Sequence, residues 1–156
     1  MITHNAKKEE LKLNTPFRAE EIEWRASSSG FDTAKKQPWA TIVPYLKTRA
    51  IQERLDTIMG PDKWMCSFAK VDGGFICTLS IKFSNDWIMK QDGADPTEVE
   101  PFKGGISDSF KRAARMWGIG RELTNTGRVY AQFVDKSSSD YSLKINGTTY
   151  YWRAPL

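Results

Sequence analysis

This sequence is poor in the residues that many catalytic and cross-linked folds require. It contains two cysteines, Cys66 and Cys77, and one histidine, His4. Two thiols can build neither a disulfide framework nor a four-cysteine zinc site. A single imidazole excludes a multi-histidine metal centre and argues against a histidine-dependent triad. There is no GxxxxGK[ST] loop, the signature of a P-loop ATPase. No apolar run approaches the ~18 residues of a membrane span. The opening MITHNAKKEELKLN lacks the apolar stretch of a secretory signal. The expectation is a cytoplasmic protein that uses no membrane, metal or cofactor. The sequon Asn146-Gly147-Thr148 accordingly reads as a turn.

What is present suits a folded domain. The 156 residues are 40% apolar and 27% charged, ordinary for a globular chain. Lysine and arginine number 23 against 19 acids, a net charge of +4 that leans towards a polyanionic partner. No internal repeat is visible. Residues 1–16 are polar, with a short helix expected over Lys7–Leu13. Ile22–Ser27 reads as a strand and Trp39–Val43 as its return. That leaves 28–38 as a basic loop with Lys35 and Lys36. Pro44 suits a helix first turn, and Leu46, Ala50, Ile51, Leu55, Ile58 and Met59 recur at helical spacing up to Gly60.

The period then changes. Phe75, Cys77, Leu79, Ile81 and Phe83 alternate with Ile76, Thr78, Ser80 and Lys82, the pattern of a strand with one apolar face. Trp64–Val71 precedes it across the turn Asp72-Gly73-Gly74, and Trp87–Gln91 follows Ser84-Asn85, which makes an antiparallel meander. Residues 92–101 read as an acidic loop, and a helix is expected from Ser107 to Trp117. A serine-rich, mobile stretch over Lys136–Asp140 leads to a last hairpin, Tyr141–Ile145 and Thr148–Trp152 around Asn146-Gly147. The fold class is α+β: an antiparallel β-meander with helices packed on one face, a hairpin in the N-terminal half and another at the C-terminus.

The helix expected from Ser107 carries the functional argument. At about 100° per residue, with Lys111 at zero, Arg115 falls at about 40° and Arg112 at about 100°. Ile106, Ala113, Trp117, Phe110 and Ala114 fall at roughly 200–300° on the same wheel. One arc can dock on the sheet while the cationic arc faces out. Asp108 is read as a first-turn carboxylate favoured by the helix dipole, and Gly118 as the C-terminal stop. Six cations and two acids between Lys103 and Arg128 give that stretch a net +4. Long cationic side chains on a rigid element are what phosphate contacts require, with Arg forking onto oxygens and Lys acting as a point charge.

The run from Lys103 to Arg121, with Asp108, Lys111, Arg112, Ala113, Trp117 and Gly118 in register behind a meander, resembles the single-strand annealing proteins of the Rad fifty-two type. Their short phage branch, called Sak, is the nearest in form. The resemblance covers about Phe17 to Gly127. It implies a core domain over 17–127, a polar segment over 1–16 and an extension with a hairpin over 128–156. It also implies a homo-oligomeric ring whose outer groove holds single-stranded DNA by its backbone, bases outward, for annealing without ATP. On this likeness Lys111 and Arg112 contact the backbone, Arg115 lines the same groove, and Arg25 reaches phosphate from the other wall. Lys35 and Lys36, in a loop of variable length, and Tyr45, near the groove wall, complete the candidate DNA contacts. A single-strand binding protein or a phage exonuclease are the implied further partners, in a bacterial host's cytoplasm. Eukaryotic relatives add a long C-terminal region that binds a recombinase. With the chain ending at Leu156, that partnership is not expected. The resemblance does not extend to the tail hairpin, residues 141–152.

Other readings stay open on the residues alone. Asp86, Asp92, Asp95, Glu98 and Glu100 could serve a metal-dependent nuclease, although four of the five are expected in a solvated loop. A sheet with a basic helix could also read double-stranded RNA by shape. Six tryptophans invite base stacking, but Trp64, Phe68, Phe75, Phe83 and Trp117 fall on docking positions and read as core or subunit contacts.

Overall fold

The computed structural model describes residues 11–155. His4 and most of the helix expected over Lys7–Leu13 lie outside them. From Leu11 the chain makes a turn, closed by a Thr15 N–H to Lys12 carbonyl bond of 3.1 Å. The chain forms two compact units. One holds the described residues up to Pro16 with Thr48–Gly120; the other holds Phe17–Lys47 with the residues from Arg121 onwards.

The first unit contains the meander. β3 (Trp64–Val71), β4 (Gly74–Phe83) and β5 (Asp86–Ala94) form one antiparallel sheet in that order. Asp72 (φ 47°) and Gly73 (φ 82°) make the tight turn between β3 and β4, where both central residues must be left-handed. Phe75, Cys77, Leu79 and Ile81 are buried, as their alternation requires, whereas Phe83 at the strand end is 41% exposed. Two helices cover this face: α1 (Thr48–Met59) and α2 (Pro101–Met116). α2 lies on β4 and β5, and α1 packs against α2 and β3.

α1 begins four residues later than the proline suggested, because Pro44 belongs to a strand. Its buried face holds Ile51 and Leu55, and also Arg54, which is 5% exposed. The Arg54 guanidinium donates to the carbonyls of Lys12, Leu13 and Thr15 (3.3, 3.4 and 2.5 Å). A buried cation is tolerable when several acceptors surround it. The side chain thereby ties the segment ahead of Pro16 to α1.

α2 starts six residues ahead of the expected Ser107. Gly104 and Gly105 weaken a helix in isolation by about 1 kcal/mol each relative to alanine, which is why the sequence pattern placed its start after them. Packing explains their presence. A Cβ on Gly105 would strike the Phe75 ring, and one on Gly104 the Thr97 hydroxyl. Gly118 (φ 89°) ends the helix as expected.

The second unit is built on a long hairpin, β1 (Ile22–Asp32) and β2 (Gln37–Leu46), joined on the β2 side by β6 (Val129–Tyr130). The basic loop expected over 28–38 is therefore only a four-residue turn, 33–36. Asp32 shapes it by accepting from the Ala34 and Lys35 N–H groups (3.0 and 2.9 Å), with Lys36 at φ 53°. The serine run is strand, not flexible linker. A bulge between Ala26 and Ser28 absorbs one residue, and the Ser27 and Ser28 hydroxyls bond across to Thr41. β7 (Gln132–Phe133), β8 (Tyr141–Ile145) and β9 (Thr148–Arg153) form a third sheet, ordered β7-β9-β8, which contains the tail hairpin as expected. The Lys136–Ser138 stretch, expected to be mobile, is a short 3-10 turn held by a Ser138 N–H to Asp135 carbonyl bond of 2.9 Å. Phe17, Ala40, Ile42, Leu46, Ile145 and Trp152 are this unit's buried apolar residues.

Candidate nucleic-acid interface

α2 docks through Gly105, Ser109, Phe110, Ala113 and Ala114, all buried. Gly105, Ser109 and the two alanines let the helix axis approach the sheet closely. Phe110 fills the remaining space beside Trp64, ring centres 6.3 Å apart. Phe110, Ala113 and Ala114 lie on the arc the helical wheel assigned to docking, but Ile106 and Trp117 are only half-buried. Gly105 and Ser109 widen the docked arc until it borders Arg112. Lys111 and Arg115 remain on the opposite surface and Arg112 flanks it. Arg112 is exposed; Lys111 and Arg115 are half-buried.

The cationic arc is not free of carboxylate. Asp108 is the eighth residue of α2, not a first-turn residue, so the dipole argument does not apply to it. It lies one turn before Lys111 and Arg112 on the same arc. Asp92, expected in a loop, belongs to β5. In the antiparallel register it sits opposite Cys77, on the face that α2 covers. There its Oδ1 accepts from Arg112 Nε and Nη2, both at 3.2 Å, and from the Gly93 N–H at 2.7 Å. Partial burial, then the positive charge of Arg112, pulls the Arg115 pKa below its ordinary value, while Asp108 and Asp92 oppose the shift.

Lys90, two residues before Asp92 on the same sheet face, was not singled out by sequence. Its Nζ donates to the Met116 carbonyl at 3.1 Å and lies 4.6 Å from the Trp117 ring centre. It thus caps the carbonyl end of α2, where a cation is favoured. Trp117 in turn donates from Nε1 to the Leu79 carbonyl at 3.1 Å and stacks on Phe83. Together these contacts hold the end of the helix that carries Arg115. The signal was available in principle: a lysine spaced by two from an aspartate on one strand face.

The other candidate residues belong to the second unit. Arg25 is exposed on β1, paired with Val43. Lys35 and Lys36 are exposed in the hairpin turn. Tyr45 points its hydroxyl at Glu23, donating to Oε2 at 3.2 Å, while Lys47 meets the other oxygen at 2.6 Å. Burial, then the Glu23 charge, raises the Tyr45 pKa; the Lys47 hydrogen bond is the main cause holding Glu23 below its ordinary value. A trough of about 710 Å³ opens on the same unit, lined among others by Trp39, Thr41, Arg128 and Tyr130. None of these four was a sequence-level candidate.

Of the acids considered for a nuclease, Asp86 and Asp92 lie in β5, and Asp95, Glu98 and Glu100 in the loop that follows. Among the described residues, no three His, Cys, Asp or Glu side chains gather as a ligand set for a metal ion. No helix among them is long and apolar enough to cross a membrane.

The sequence profile of the Rad52/22 family double-strand break repair protein matches residues 5–140. The chain belongs to the Rad52/22 family. The Rad52/22 match takes in the meander, α2 with Lys111, Arg112 and Arg115, and the β1–β2 hairpin, and it stops just ahead of β8 and the tail hairpin. Two curated relatives are similar. The single-stranded DNA-binding protein DdrA of Deinococcus radiodurans is 26% identical, and that of Deinococcus deserti 25%, each over 126 residues and 80% of this chain. The chain spans about three fifths of their length, 58% and 60% respectively. No solved structure matches it.

Proposed function

We propose that this chain binds single-stranded DNA along its sugar–phosphate backbone and anneals complementary strands without ATP. The observation that carries the reading is the surface of α2 opposite its docked side. Lys111 and Arg115 lie there one turn apart, with Arg112 flanking them, on a helix whose carbonyl end is held by Lys90 and Trp117. Contacts to phosphate are indifferent to sequence and leave the pairing edges available, which annealing needs. Counterion release supplies affinity, and base pairing and stacking drive the product. Membership of the Rad52/22 family and the naming of both relatives as single-stranded DNA-binding proteins support this reading. Arg25, Lys35, Lys36 and Tyr45 are proposed as further contacts from the second unit.

The finer parts of the proposal are a short, Sak-like member, a homo-oligomeric ring and side-by-side subunits that add weak grooves by multivalency. A single-strand binding protein or an exonuclease would be its partners in a bacterial cytoplasm. The test is duplex formation between two labelled complementary oligonucleotides without nucleotide or metal. Duplex should form faster than spontaneously and saturate with protein. An unchanged rate at saturating protein overturns the reading. Electron microscopy with and without single-stranded DNA tests the ring.

A further inference from the structure

The open face of the β1–β2–β6 sheet has the composition of a nucleotide site. In antiparallel pairing, directly opposed residues project to the same face. Ser28, Thr41 and Tyr130 therefore form one row across the sheet, since Thr41 pairs with both of the others. Trp39 stands two residues from Thr41 on β2, on the same face, opposite Gly30. On the other side of that row, Val43 pairs with Arg25 and lines the trough together with Arg128. The face thus reads, in order, Val43 opposite Arg25 and in one trough with Arg128, a hydroxyl-rich row ending in Tyr130, and an indole.

Both rings are available. Trp39 is 39% exposed and Tyr130 is 59% exposed. Trp39 also has a fixed seat. A Cβ on Gly30 would fall 2.8 Å from its Nε1 and Cζ2, so the indole covers the glycine backbone. Glycine here admits the ring by having no side chain. The trough is about 710 Å³, within the usual range for small-ligand sites and enough for a nucleotide. Its lining has one arginine and no carboxylate. That charge balance suits an anion, and aromatic platforms beside a cation are how proteins hold single strands without reading sequence.

We propose that this face is a base-stacking subsite for single-stranded DNA, with Trp39 and Tyr130 as platforms for bases and Arg25 and Arg128 holding the adjoining phosphates. The inference rests on the single-stranded DNA reading above and deepens it. The α2 cations hold a backbone and leave bases free; this face captures one or two bases and so anchors the strand.

The test compares an oligothymidylate with an abasic sugar–phosphate oligomer of equal length, by fluorescence anisotropy at fixed salt. Stacking should make the wild-type protein bind the thymidylate about tenfold or more tightly than the abasic strand. The double variant Trp39→Ala, Tyr130→Ala should lose that preference and keep its affinity for the abasic strand. Trp39→Phe should retain most of it. Equal wild-type affinity for the two strands overturns the subsite but leaves backbone binding standing. Failure to bind either strand overturns both readings. A double variant that keeps the preference, or that instead dissociates into smaller species on sedimentation, overturns the subsite and in the second case makes the face a contact between copies.

Discussion

Arg112 on α2 and Asp92 on β5, twenty residues apart in sequence, form a two-point contact in which Nε and Nη2 share one carboxylate oxygen at 3.2 Å each. The arginine side chain is 49% exposed and the aspartate 28%. A pair this open contributes at most about 1 kcal/mol to stability. Its larger effect is on the surface. It ties the guanidinium to β5 and offsets the Arg112 charge, one of the trio with Lys111 and Arg115 proposed to meet a polyanion.

Asp92→Asn should therefore strengthen single-stranded DNA binding. The amide oxygen still accepts a hydrogen bond, so the Arg112 geometry can persist while one negative charge goes. A gain of about two- to fivefold at low ionic strength, shrinking as salt rises, is expected from a single nearby charge. Anisotropy titrations at two salt concentrations read it. Weaker binding by the variant would mean that Asp92 matters more as a guide for Arg112 than as a competitor for it.

Lys111→Ala with Arg112→Ala should lower affinity about tenfold at moderate salt and flatten the slope of log affinity against log salt by about 1.4, since each phosphate contact to a single strand contributes about 0.7. The far-ultraviolet circular dichroism and the melting midpoint should change little, because neither side chain is in the buried face of α2. Affinity and slope unchanged from wild type would remove these residues from the interface.

Phe110→Ala should cost about 3–5 kcal/mol, read from denaturant unfolding. Phe110 is 2% exposed and its ring packs beside Trp64. A variant as stable as wild type would mean that α2 docks by another face, which would also misplace its cations.

The two cysteines should separate under alkylation. Burial, with the Cys66 charge second, pushes the Cys77 thiol up to about 12, and Cys77 is fully buried on β4. Cys66 is exposed on β3, although burial of its sulfur raises its pKa as well. Because the thiolate is the reacting form, iodoacetamide at pH 8 should label Cys66 first, with Cys77 modified only on unfolding. Peptide mass mapping reads the order. Equal labelling in the native state would contradict the packing of β4.

Much of the fold was legible in the chain because its signals are local and unopposed. The alternation from Phe75 to Ile81, the paired left-handed positions at Asp72-Gly73 and Asn146-Gly147, and the glycine after Trp117 each act within a few residues. They appear in the structure where the pattern placed them. The errors share one cause. Pro44, the serine run and Gly104-Gly105 all carry local preferences that distant partners overrule. Pro44 sits in a strand opposite Trp24; the serines bond to Thr41; the glycines accommodate Phe75 and Thr97.

The candidate site divides in the same way. That Lys111, Arg112 and Arg115 stay outside the docked arc of α2 follows from helical geometry alone, because the helix has one apolar arc and must bury it. Which carboxylate meets Arg112, that Lys90 caps the helix, and that Trp39 lies over Gly30 beside Tyr130 depend on strand register. Strand register and the docking of α2 on β5 bring these residues within reach, and the pairing of a helix residue with a strand residue twenty or more positions away is not encoded by any short-range preference. The sequence by itself determined which residue types exist to meet a polyanion and which helix face presents them. The tertiary structure decided how many of those charges are left uncompensated and where open aromatic surface lies, because both are set by cross-strand and strand-to-helix contacts that arise only when the sheets close.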